Sequence, residues 1–132
     1  MANTPKMSVK FRTRHKTKED YEDLFRNPYH IIVSYNRKQL AISCAYRSSV
    51  LPSWEVFQQL NSDGMPKDTS TQDAKVLRCS ELMQKTKRIY LATLEKAINE
   101  GVWENMDAKR FARYLLENRE EIDKIVRYRR KW

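Results

Sequence analysis

Lys10, Arg12 and Arg14 recur at every second residue of one segment, and Arg37 and Lys38 close an apolar run further on. In a β-strand successive side chains point to opposite faces, so this alternation gathers three cations on one side. Neighbouring strands lie about 4.8 Å apart, so a basic strand beside a basic hairpin is expected to bring all five side chains to one surface. Such a ribbon fits the DNA major groove, about 12 Å wide, where Arg reads guanine edges and Lys meets phosphates. The plain alternative is a solvated face whose charges discourage edge-to-edge aggregation.

Three other groups invite a chemical reading. The C-terminal run carries Lys124, Arg127, Arg129, Arg130 and Lys131. It suits either phosphate contact or a helix end in solvent, where cations also complement the helix dipole. Glu117, Glu120, Glu121 and Asp123 lie close in sequence, but helical spacing spreads them around the axis among basic residues, and a metal needs converging oxygens. His15, His30, Cys44 and Cys79 contain no CxxC pair and no spacing that forces a Cys–His contact. Two inert thiols in a reducing compartment are the expectation, with no disulfide framework and no zinc. No catalytic constellation emerges, and neither a cofactor nor a metal is expected. Trp54, Trp103, Tyr90 and Tyr114 are able to stack on bases, but in a small chain aromatics chiefly build the core.

These side chains need a scaffold, and 132 residues allow one domain or a small domain with a helical extension. A 40% hydrophobic content excludes a disordered composition. The net charge of +9 favours an acidic partner, nucleic acid being the commonest for a small protein. No apolar run approaches the ~20 residues that cross a bilayer. Met1-Ala2-Asn3-Thr4-Pro5 carries no hydrophobic signal region, so a cytoplasmic protein without membrane contact is expected.

Residues 7–14 alternate as a half-buried strand, Val9, Phe11 and Thr13 inward. The polar connector 16–26 ends at Asn27-Pro28, and its conformation stays open. Tyr29 to Tyr35 is the clearest strand, rich in β-branched and aromatic residues. Asn36-Arg37-Lys38 reads as a turn with Asn36 in a left-handed conformation. Gln39 to Tyr46 alternates again, with Leu40, Ile42, Cys44 and Tyr46 on one face. Trp54 and Phe57 are expected to fold over the core, and Asn61 to Thr71, with Asp63-Gly64 and Pro66, is a loop. Thr69 and Gln72 resemble a capping box for a helix over 74–100, with Gly101 as its terminator. Asp107 opens a last helix from Ala108 to Arg130. The expected fold class is α+β: a small three-stranded antiparallel sheet in residues 1–60, then two longer helices in residues 61–132 that pack on it or extend from it.

In order, Val9-Lys10-Phe11-Arg12, then Tyr29 through Lys38, then Gln39 to Tyr46, then Val50-Leu51-Pro52-Ser53-Trp54, resemble the N-terminal arm-type DNA-binding region of tyrosine recombinases. These are the integrases of phages and conjugative transposons. The helix carrying Ile89-Tyr90-Leu91 and ending at Glu100-Gly101 is similar to that family's linker toward its core-binding domain. The resemblance covers about residues 7–100 and implies that the sheet docks in the major groove of sites flanking a recombination locus. Lys10, Arg12, Arg14, Arg37 and Lys38 match the family's basic sheet face. The family's catalytic arginines, His-x-x-Arg box and tyrosine nucleophile have no counterpart here, so these residues alone are not expected to cleave or join DNA. The connector 16–26 and the basic last helix depart from the family pattern. The expectation is a non-enzymatic protein that binds double-stranded DNA. The alternative is a regulator or inhibitor of a mobile element that contacts the recombinase or another of its proteins. A third reading has Tyr29 and Tyr35 stacking on single-stranded RNA.

Overall fold

The computed structural model describes residues 6–12, 17–19, 30–43 and 53–130; the side chains of residues 43 and 128–130 lie outside that description. Strands β1 (Ser8–Arg12), β2 (His30–Tyr35) and β3 (Lys38–Ser43) form an antiparallel sheet in the order β1-β2-β3. Val9 pairs with Val33 and Val33 with Leu40, which fixes the phase of all three strands. Val9, Phe11, Ile31, Val33, Leu40 and Ile42 share the inward face, each less than a tenth exposed. The expected fold class is therefore the observed one: a three-stranded antiparallel sheet followed by helices.

The hairpin turn is tighter than the sequence suggests. Asn36 (φ 50°) and Arg37 (φ 67°) form it alone, and Lys38 already pairs with Tyr35 in the sheet. Two consecutive positive φ values define the hairpin whose twist matches that of its strands. Asn tolerates this conformation well, whereas Arg37 adopts it at a cost of roughly 1–2 kcal/mol.

Helix α1 (Trp54–Gln58) is short, capped by Ser53 Oγ accepting from Val56 N, and buries Phe57. The loop after it is built from the residues that mark it as a turn. Asn61 Oδ1 accepts from both Asp63 N and Met65 N, at 2.9 and 3.0 Å. Gly64 takes φ +79° where a Cβ would lie 2.9 Å from Met83 Cβ, so only glycine fits without displacing the long helix. The carbonyl of Ser62 accepts from Phe11 N at 2.7 Å and so covers part of the free edge of β1.

Helix α2 (Ala74–Asn99) lies against β1 and β2. Its N-cap is Asp73, whose carboxylate accepts from Lys75 N at 2.9 Å, in place of the expected Thr69–Gln72 box. Thr71 Oγ1 instead accepts from Asp73 N, one residue ahead of the helix. The far end is the Schellman arrangement expected from Gly101. Val102 N donates to Ala97 O and Gly101 N to Ile98 O, with Gly101 at φ +72°.

The single last helix is in fact two, α3 (Ala108–Glu117) and α4 (Arg119–Arg130), hinged at Asn118 (φ −110°, ψ 18°). Asn118 Nδ2 donates to Tyr114 O, and the Asn118 carbonyl accepts from Ile122 N, so both flanking turns keep a partner. The break has a packing reason. Phe111 and Leu115 seat α3 over β3, while Ile122 and Val126 seat α4 against α2. A straight helix could not serve both. One hydrophobic cluster joins the sheet, α2, α3, α4 and Trp103 of the 3₁₀ turn Trp103–Asn105. Among the described residues no helix is long and apolar enough to cross a membrane.

Candidate nucleic-acid interface

The register decides which cations share a face. Ser8, Lys10 and Arg12 stand opposite Ser34, Ile32 and His30, which stand opposite Gln39, Ala41 and Ser43. These residues form the outward side, away from α2 and α3. Lys38 belongs to the other phase, in line with Leu40 and Ile42.

Lys38 therefore departs from the expected shared surface. Its Nζ donates to Trp103 O at 2.7 Å and Glu104 O at 3.0 Å, and lies 4.9 Å from the Trp103 ring centroid. Trp103 Nε1 in turn donates to Tyr35 O at 3.3 Å. The ammonium thus ties the hairpin to the 3₁₀ turn between α2 and α3. It adds a second donor to the Trp103 carbonyl, which already accepts from Met106 N at 3.1 Å, and supplies one to the Glu104 carbonyl.

Lys10 starts on the outward phase but bends over the β1 edge to Asp63, at 2.6 Å. Lys87 of α2 meets the same oxygen at 3.1 Å. Lys10 foremost, and Lys87 with it, hold the Asp63 carboxyl below its usual range. Sheet, loop and long helix are joined through that one carboxylate.

The sign of the pH dependence follows. Asp63 has a lower pKa folded than unfolded, so its stabilisation is complete above the unfolded value, near pH 4. It fades as pH falls from there through the folded value. Urea midpoints of the wild type and Asp63→Asn are expected to differ at pH 7 and to converge as pH falls below about 4. A gap independent of pH would show that the carboxylate charge does not join these elements.

Arg12 and Arg37 keep the expected exposure. Among the described residues no carboxylate or carbonyl holds either guanidinium. They occupy opposite ends of the sheet, since Arg12 pairs with His30 and Arg37 follows Tyr35. Five residue steps at about 3.4 Å separate those ends by roughly 17 Å. Between them Ile32 is 7% exposed, so the middle of the outward side is not an open platform. Arg14 lies outside the described residues, as do the side chains of Arg129 and Arg130. Arg127 is exposed on α4, which packs on α2 behind the inward face and does not join Arg12 and Arg37.

Several of the remaining candidates have structural partners. Glu121 binds Lys96 at 3.0 Å and Asp123 faces Arg119 at 3.4 Å. Burial pushes the Cys79 thiol up, away from the thiolate a nucleophile needs. Tyr90 and Trp103 are core residues around Phe111, Trp54 packs against the core, and Tyr114 hydrogen-bonds Glu100. His15, Tyr29 and Cys44 lie outside the described residues. Sequence reasoning passed over Lys6, which lines a recess with Arg37 at the hairpin end. Its only signal in the sequence is that residues 1–18 hold six Lys or Arg and no acid. Comparisons with protein-family models, curated proteins and solved structures find no match to this chain.

Proposed function

We propose that this chain is a non-enzymatic, cytoplasmic protein that binds double-stranded DNA through basic residues at the two ends of its sheet, in the manner of the arm-type region of tyrosine recombinases. The observation that carries the reading is the pair Arg12 and Arg37, exposed at the two ends of the sheet and without acidic partners among the described residues. A small anion cannot touch both across roughly 17 Å, whereas a duplex carries one charge per about 1.7 Å of its axis. The net charge of +9 adds long-range attraction. The order of basic strand, hairpin, short helix and long helix is the one on which the family resemblance rests. Lys10 and Lys38 are fixed by internal partners and serve the scaffold.

The test is fluorescence anisotropy of a labelled duplex titrated with the whole chain at several salt concentrations. Affinity is expected to fall linearly in log–log form, by about 0.9 per phosphate neutralised. Absence of binding at 50 mM salt, or affinity indifferent to salt, overturns the reading.

A further inference from the structure

At the hairpin end a recess of about 310 Å³ is lined by Lys6, Ser34, Arg37, Lys38 and Gln39, with Tyr35 and Asn36 as its wall. Among the described residues it holds cations and neutral donors and no carboxylate. Lys6 comes from the segment before β1 and Arg37 from the turn between β2 and β3, so the chain fold, not local sequence, brings these charges together. Lys38 spends two of its three N–H donors on Trp103 O and Glu104 O. That bonding holds the lysine stem against the recess and leaves one donor over. Beside it, Arg110 Nη1 donates to Asn105 O at 3.1 Å, the carbonyl next to the one that anchors Lys38. The exposed carboxylate of Glu104 on the same turn limits the charge on that flank.

We propose that this recess receives one phosphate of the duplex backbone and thereby fixes where the hairpin sits along the DNA. Water occupies about 30 Å³ in the liquid, so the space admits a phosphate with part of its hydration shell. Its donors are those that backbone contacts use: an ammonium, a guanidinium, a hydroxyl and an amide. Phosphate contacts set register and orientation, while base edges carry sequence. A phosphodiester bears one negative charge, which two partly solvated cations match without burying an excess.

This inference rests on the duplex reading, and the experiment separates the two. Lys6→Ala removes an exposed side chain that makes no fold contact described above. Arg37→Asn keeps a residue that accepts the left-handed turn. Each single variant is expected to bind duplex about 8-fold more weakly at ~0.1 M salt, with the log–log slope reduced by about 0.9. Inorganic phosphate titrated into the wild type is expected to shift backbone amide resonances of residues 34–39 ahead of others. If the wild type binds duplex while Lys6→Ala keeps the same affinity and slope, the recess is overturned and the duplex reading stands. If the wild type does not bind duplex, both fall. Phosphate-induced shifts confined to other segments also overturn the recess.

Discussion

Phe111→Ala is expected to remove about 3–5 kcal/mol of stability, the usual range for emptying a buried aromatic site. Phe111 is fully buried, stacked on Tyr90 at 5.9 Å between centroids and edge-on to Trp103 at 6.4 Å. Its ring is where α2, α3 and the 3₁₀ turn meet. A domain of this size has only about 5–15 kcal/mol in total, so the variant stands near the limit of folding at 37 °C. Phe111→Leu retains most of the volume and is expected to lose less than half as much. Urea denaturation of the two variants checks the order. The consequence reaches the interface, because Trp103 carries both Lys38 and the carbonyl of Tyr35. An alanine cost below 1 kcal/mol would mean that α3 is not seated on this core.

Much of the scaffold could be read before any coordinates. Val9 and Phe11, and Leu40 and Ile42, alternate with polar or small neighbours, and the period of two assigns them inward. Ile31-Ile32-Val33 is apolar without a break, and only the pairing with Phe11, Val9, Ile42 and Leu40 puts Ile31 and Val33 on that face. Gly101 ended α2 for a reason visible in one residue: it takes the left-handed conformation at no steric cost. The helix break at Asn118 was not visible. Phe111, Leu115, Ile122 and Val126 continue one helical stripe, and only the competing demands of β3 and α2 divide it. The N-cap was misplaced for a similar reason. Thr71 and Asp73 are as good cap formers as Thr69, and the loop that ties Gly64 to Ser80 decides among them.

The interface was legible in part. That Arg12 and Arg37 are exposed follows from strand phase and turn position. The place of Lys38 was within reach too, because counting back by twos from Ile42 and Leu40 puts it on the inward face. Treating it as a turn residue hid that phase. The fate of Lys10 was not within reach. Its partner Asp63 lies 53 residues on, in a loop whose local pattern says only that the chain turns. A periodic pattern reports which way a side chain leaves the backbone, not where a flexible four-carbon stem carries its charge.

That distinction makes the functional test sharp. Arg12→Ala combined with Arg37→Asn is expected to weaken duplex binding about 60-fold at ~0.1 M salt, because each lost phosphate contact forfeits about 8-fold of counterion release. The salt slope is expected to fall by about 1.8. Lys10→Ala and Lys38→Met remove the same formal charge from the same first strand and the same hairpin, yet their ammonium groups are already engaged by Asp63 and by Trp103 and Glu104. Lys38→Met is expected to cost about 1–2 kcal/mol of stability through its two carbonyl bonds while changing affinity far less than the arginine pair. Net charge alone cannot produce this split, since both double losses leave the chain at +7, two below its +9. If the two lysines weaken binding as much as the two arginines do, attraction is governed by total charge and the sheet face has no particular role. If neither pair matters, the duplex lies elsewhere or is not the partner.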